Sequence, residues 1–384
     1  GQQRYKHVIT SAASDVYNRN EVGRGEFLSG GIYTSIKTIV AGKRLSKKVK
    51  TFTIGFPQAA YDERKIAREV ALQVGSEHYE LEVSEFDCVN WVKEAVQCMD
   101  LPSVDAINTY IVAKAVRDTG LKVALSGLGG DELFGGYPSF SKVPSLKILN
   151  RCPAILREKL IEILPEKIYQ KIDGLKDFSV KDLTLASRRF TSVTDLKSMG
   201  FGNGIPFIPG IPEGMDKMGK ISWAEIYGYM IPMLLRDSDQ MSMAVGLELR
   251  VPFLDHKLVE EVLSMSQKYK KGFGVKPLLV EAFINELPEQ VYKRPKQGFS
   301  LPMAEWILAD LEPFTRQGIE YASDELKLKE PINQFKKFQN GELHWTRIWH
   351  WCVLGHWLFK QKEGSWTGKP AKLSSKNTIQ SISK

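Results

Sequence analysis

The sequence has 384 residues, 43% of them hydrophobic, and 53 basic against 45 acidic residues give a formal charge of +8. That is enough apolar material for a large core, in one big domain or two of ordinary size. No apolar run approaches the roughly 20 residues that cross a bilayer and no charged-then-apolar leader is seen, so no membrane partner and a cytoplasmic location are expected.

The chain opens at Gly1 on a polar, aperiodic segment, the pattern of a processed or partial product. The first clear signal is Phe27-Leu28-Ser29-Gly30-Gly31-Ile32-Tyr33-Thr34-Ser35. A short apolar run breaks there into a glycine turn followed by hydroxyl residues, which reads as a strand ending in a phosphate cradle. Residues without a Cβ let successive N–H groups close on an anion, and Ser29, Thr34 and Ser35 add donors at a helix N-terminus. The spacing is neither that of a Walker A loop nor that of a dinucleotide fingerprint. Lys43, Arg44, Lys47, Lys48 and Lys50 follow as the densest basic stretch; without interleaved aromatics it reads as a solvated helix end and loop, and no nucleic-acid partner is expected.

Lys50 to Phe56 is the next strand candidate, and Tyr61-Asp62-Glu63 opens a helix to about Val74 with Ile66, Val70 and Val74 on one face. His78 to Val83 is a further strand, and Phe86 to Cys98 and Ile107 to Thr119 are helices, the second closed by Gly120. Leu121 to Leu125 then runs into Ser126-Gly127-Leu128-Gly129-Gly130-Asp131-Glu132-Leu133-Phe134-Gly135-Gly136-Tyr137. Two strands thus end in glycine-rich turns, and ligands of open parallel sheets sit beyond the carboxyl ends of the strands.

This alternation predicts an α/β fold, a parallel sheet covered by helices. From about Pro144 the pattern turns mainly helical, without strand alternation. The expected division is a nucleotide-binding region over 1–145, a helical extension over 146–366 and a polar, unstructured tail over 367–384. Cys88, Cys98, Cys152 and Cys352 form no CxxC pair and have no histidine at zinc spacing, so free thiols are expected. His344, His350 and His356 fall on different helix faces among Trp345, Trp349, Trp351 and Trp357 and read as packing residues.

Taken together, Phe27 to Ser35, Thr51 to Phe56, Tyr61-Asp62-Glu63, Ser126 to Tyr137, Arg236 to Met243, Glu248 to Asp255 and Arg294 to Phe299 resemble, in order, the synthetase domain of glutamine-dependent asparagine synthetase, an ATP pyrophosphatase-type domain. The resemblance implies that ATP activates a carboxylate, aspartate in that family, as an acyl-adenylate that ammonia converts to the amide, with release of AMP and pyrophosphate. By position, Leu28 and Ile54 would flank the adenine, Ser126 and Gly127 would contact the nucleotide, and Ser29, Gly30, Gly31 and Thr34 would hold the pyrophosphate. Asp131 matches a Mg2+ ligand. Lys296 matches the lysine that stabilises charge building up at the α-phosphate. The family's glutaminase domain is not seen, the earliest cysteine being Cys88, so ammonia would come from solution or from a separate glutaminase. Homo-oligomerisation is left open.

The sequence departs from the family pattern at informative positions. Tyr33 stands where the family has a metal-binding aspartate, and a phenol binds Mg2+ poorly. Leu128 replaces a glutamate that assists amidation, and leucine cannot exchange a proton. The approach to the first strand is polar, with Glu26 adjoining what should be a buried strand. Two further readings follow: a nucleotide-binding protein that has lost activity, and a ligase of the same family acting on another carboxylate.

Overall fold

A computed structural model describes residues 24–44, 48–55, 63–147, 149, 152–153, 159, 166–175, 177–202, 208–266, 270, 276–293, 301–363 and 379–382. Their contacts form two units. One contains the described residues up to Ser126, Arg236–Arg250 and those from Glu286 onward; the other contains those within Gly127–Leu235 and Val251–Asn285.

The first unit is built on a sheet. Strands β1 (Arg24–Phe27), β2 (Lys50–Gly55), β3 (Glu77–Glu82), β4 (Val123–Leu125), β5 (Glu248–Arg250) and β6 (Ile379–Ile382) lie in the order β5-β4-β1-β2-β3-β6. The β5-β4-β1-β2-β3 pairings are parallel, and β6 joins β3 antiparallel. This is the expected parallel α/β sheet. Helices α1 (Ile32–Arg44), α2 (Arg64–Val74), α3 (Glu85–Cys98) and α4 (Ala106–Arg117) supply the crossovers, as parallel neighbours require.

Register follows side-chain fit. Phe52 on β2 is opposite Tyr79 on β3, and their rings stack 5.0 Å apart at 6°. On the other side a Cβ at Gly25 would lie 2.7 Å from the Phe52 ring and 2.5 Å from Leu121, so glycine is what lets those side chains close over β1. Ile36, Val92, Ile111, Val116 and Leu125 are fully buried between sheet and helices, each contributing about 1.5–3 kcal/mol relative to exposure.

Two strands were not expected. β5 is too short to show alternation and is defined by its pairing to β4, with Ala124 opposite Leu249. β6 lies within the polar segment expected to lack regular structure, and its backbone pairs from Leu81–Ile379 to His78–Ile382. A parallel sheet's last strand offers a row of unpaired backbone groups that such a segment satisfies.

The second unit is helical. Val143, Ile172, Phe178, Val180, Leu183 and Ile221 form its core, with Phe140, Leu146 and Ile168 packed against it. The helix Lys217–Glu225, N-capped by the Asp216 carboxylate accepting from Gly219 N–H at 2.7 Å, runs into a π-helical stretch, Ile226–Leu235. Pro232 inside that stretch has no N–H to donate, one cause of the widened turns.

Candidate active site

The first turn leaves β1 at Phe27. Leu28 N–H donates to Phe52 O at 2.9 Å, and Thr53 Oγ1 donates to Leu28 O, which fixes the exit of the turn over β2. Gly30 then takes φ +67°, and a Cβ there would lie 2.9 Å from Ile66 Cγ2. Glycine is needed for both reasons. Gly31 N–H reaches Ser29 Oγ at 3.4 Å, the Ser29 and Thr34 hydroxyls meet at 3.2 Å, and Thr34 Oγ1 donates to Gly31 O at 3.1 Å. The 13-residue helix α1 begins at Ile32, so its first amides and two hydroxyls are gathered at the carboxyl end of β1. A helix N-terminus with this lining is an anion site. Ser29, Gly30, Gly31 and Thr34, expected to act together, are together; Leu28 precedes them, and Ile54 lies on the adjoining strand β2, 9% exposed.

Beneath this turn lies a pair of charges. Lys37, one turn along α1 from Tyr33, donates to Leu125 O at 2.5 Å and to Phe27 O at 3.3 Å. It therefore ties the last residues of β4 and β1, the residues from which the Ser126 and Ser29 turns emerge. Glu26, in β1, accepts from Thr38 Oγ1 at 2.7 Å. Burial raises the Glu26 pKa, opposed by Lys37, and burial lowers that of Lys37, opposed by Glu26. Tyr33 is itself buried, at 9% exposure, on the face of α1 that includes Ile36 and Lys37. Ser126 N–H donates to Arg250 O at 2.8 Å, so the second turn is anchored at its start by β5.

In the helical unit the turn continues. Gly127 O accepts from Gly130 N–H at 3.4 Å, and Gly129 takes φ +91° where a Cβ would be 2.4 Å from Leu254. The short helix α5 (Gly130–Phe134) carries Asp131 and Glu132 in its first turn. Asp131 Oδ1 is 2.9 Å from Lys276 Nζ. Glu132 is 1% exposed and accepts from Tyr137 OH at 2.6 Å. Burial pushes its carboxyl up to about 7, the Tyr137 hydrogen bond opposing. The Tyr137 ring lies 3.9 Å from the Arg188 guanidinium, which lies equally close to Tyr229 and pairs with Glu225 Oε2 at 2.7 Å.

Mg2+ is tested by these donors. Among the described residues no group of three or more His, Cys, Asp or Glu side chains converges on a metal position. Mg2+ on a nucleotide takes one or two carboxylates and fills its shell with phosphate oxygens and water. Asp131, already turned to a cation, fits that demand. Lys296, Asp62 and the whole of Arg294 to Phe299 lie outside the described residues.

Sequence reasoning missed Lys37, Lys276, Arg188 and Glu225. A signal existed for Lys37, a lone cation inside Ile36-Lys37-Thr38-Ile39-Val40 matched by Glu26 inside a strand. Arg188 and Glu225 are 37 residues apart, and no local pattern joins them.

A parallel sheet whose first strand ends in a glycine and hydroxyl turn at a helix N-terminus is an α/β architecture of the kind suited to phosphate. The comparisons sharpen this. The family model described as asparagine synthase matches residues 8–358. Glutamine-hydrolyzing asparagine synthetase 1 of Bacillus subtilis is 29% identical over 377 residues, 88% of this chain and 57% of that protein. A putative glutamine-hydrolyzing asparagine synthetase of Mycobacterium tuberculosis H37Rv is 29% identical over 336 residues, 80% and 50% of the respective chains. Amidase chyE of Penicillium rubens is 27% identical over 338 residues, 73% and 49%. The chain belongs to the asparagine synthase family. It spans about half the length of the curated relatives it matches.

Proposed function

We propose that this chain is an ATP-dependent amide-forming ligase: it adenylates a carboxylate and passes the acyl group to ammonia, releasing AMP and pyrophosphate. The observation that supports this best is the Ser29-Gly30-Gly31-Thr34 cradle in a member of the asparagine synthase family. A free carboxylate acylates poorly because its leaving group would be oxide; adenylation substitutes AMP. In this reading the cradle and α1 neutralise the pyrophosphate, Leu28 and Ile54 flank the adenine, and Ser126 and Gly127 contact the nucleotide. Lys296 is proposed to stabilise charge at the α-phosphate, and Asp131 to hold Mg2+, which would supply charge neutralisation on the departing pyrophosphate. Aspartate is the first candidate acceptor, with ammonia from solution or a separate glutaminase. A cytoplasmic location and the division at about residue 145 belong to the same proposal; no helix among the described residues is long and apolar enough to cross a membrane.

Leu128 favours a second acceptor class. The position offers no proton-exchanging group, and a relative at 27% identity carries the name amidase, so a carboxylate other than aspartate is the alternative substrate. Pyrophosphate–ATP isotope exchange across a panel of carboxylic acids tests both. Exchange with aspartate supports the first, and exchange with another acid the second. Folded protein showing none with any acid sinks both, and leaves the inactive nucleotide-binding reading that Tyr33 favours.

A further inference from the structure

The sheet parts at one place. β1 and β4 pair from Arg24–Val123 to Glu26–Leu125. Beyond that pair each strand leaves with its other neighbour: Phe27 stays in register with Phe52 of β2, Leu28 N–H donates to Phe52 O, and Ser126 N–H donates to Arg250 O at the end of β5. β2 follows β1 on one side while β4 lies on the other, so the gap is the kind of topological switch point at which open parallel sheets bind ligands. One side chain of α1 reaches into it. Lys37 is 2% exposed, and its Nζ donates to Leu125 O at 2.5 Å and to Phe27 O at 3.3 Å, standing where the next rung of the ladder would be. The surroundings are those of a monovalent cation. Besides the two carbonyls there is Glu26, 1% exposed, whose Oε2 accepts from Thr38 Oγ1 while Oε1 has no hydrogen-bond partner among the described residues. Neutral carbonyl oxygens and one carboxylate, removed from solvent, suit a hard singly charged ion and leave no net charge once it is in place. Lysine carries such an ion on a tether: a compact ammonium with rotatable donors, unlike the wide guanidinium fork.

We propose that Lys37 is a positioning residue whose ammonium occupies a built monovalent-cation site at the switch point, and that the filled site sets the shape of the Ser29 turn and hence its affinity for a phosphate group. This rests on the reading of that turn as an anion cradle given above. The route from charge to turn is short. Phe27 is two residues from Ser29, and Leu125 adjoins Ser126. An unfilled site leaves two carbonyl dipoles converging on an empty position beside an unopposed carboxylate, and the strand ends that carry the turns relax apart. A turn that holds its cradle shape about a tenth of the time binds about tenfold more weakly.

The full chain is titrated calorimetrically with inorganic pyrophosphate, Mg2+ in excess, under conditions where far-UV circular dichroism shows each variant folded. Lys37→Ala removes the tether and leaves room for a small amine. It is expected to bind about tenfold more weakly, and ethylammonium is expected to restore most of the loss and to raise the melting temperature of this variant and not of wild type. Tetramethylammonium, equally charged but without an N–H donor, should do neither. If Lys37→Ala does not fold, the double change Glu26→Val with Lys37→Met, which leaves no buried charge at the site, takes its place; it is expected to bind as weakly, with no response to ethylammonium. Folded variants that bind pyrophosphate as wild type does make Lys37 a stabilising residue only and overturn the proposal, as does a loss in Lys37→Ala that ethylammonium and tetramethylammonium affect alike. Either result leaves the ligase reading standing. Wild-type protein that binds no pyrophosphate overturns the cradle reading and this proposal with it.

Discussion

Glu132 and Lys37 are charges placed where solvent does not reach, and each makes a measurable demand on stability. The carboxyl of Glu132 is pushed up to about 7 from 4.5, so between those values the folded state binds more protons than the unfolded state, and stability falls as pH rises through that window. Glu132→Gln removes the ionisation and keeps an acceptor for Tyr137 OH. The variant is expected to gain about 3 kcal/mol relative to wild type at pH 8 compared with pH 4, an order of magnitude set by the size of the shift; urea denaturation at both values checks it, and a pH-independent difference rejects it. Lys37→Met strips the cation that opposes Glu26 and leaves the Phe27 and Leu125 carbonyls without their donor. A loss of about 3–5 kcal/mol is expected. The double change Glu26→Val with Lys37→Met should recover part of it, because no buried charge then remains, and additive losses in denaturant titrations would count against the coupling.

The elements differ in how much of them the sequence displayed. β2, β3 and α1 to α4 were legible because each is long or periodic enough to show one face, and β1 and β4 because each leads into a glycine-rich turn; α3 runs Glu85–Cys98 where Phe86 to Cys98 was expected. The first turn was legible because glycine and hydroxyl residues have few other reasons to follow an apolar run. β5 was not, since its three residues, Glu248, Leu249 and Arg250, have neither an apolar run nor a glycine turn after them and only the pairing with β4 makes them a strand. The paired charges beside the second turn were hidden for a related reason: Asp131 and Lys276 are far apart in the chain, and only tertiary contact joins them. A helix crossing shows the same dependence. A Cβ at Gly355 would sit 1.7 Å from Gly318 O, where the helices Glu312–Leu326 and Thr346–Glu363 meet. Gly355→Ala must therefore spread the pair, with an expected cost of about 1–3 kcal/mol; a melting temperature equal to wild type would show that the crossing relaxes freely.

At the scale of the molecule, β6 protects an edge. Ending the chain at Glu363 removes the strand paired with β3 and exposes the backbone groups of a six-residue strand. Such an edge is a template for another chain. The shortened protein is expected to scatter light increasingly with concentration while keeping its far-UV circular dichroism, and monodisperse behaviour at high concentration would contradict this. The opposite flank of the sheet carries a consequence for synthesis. β4 is complete once Leu125 has left the ribosome, but its outer neighbour β5 begins only at Glu248, after most of the helical unit has been translated. For that interval a nascent chain carries an unfinished sheet, with the Ser126 amide still waiting for its acceptor on Arg250. Slow translation or truncation before β5 therefore favours capture by chaperones over completion of the fold.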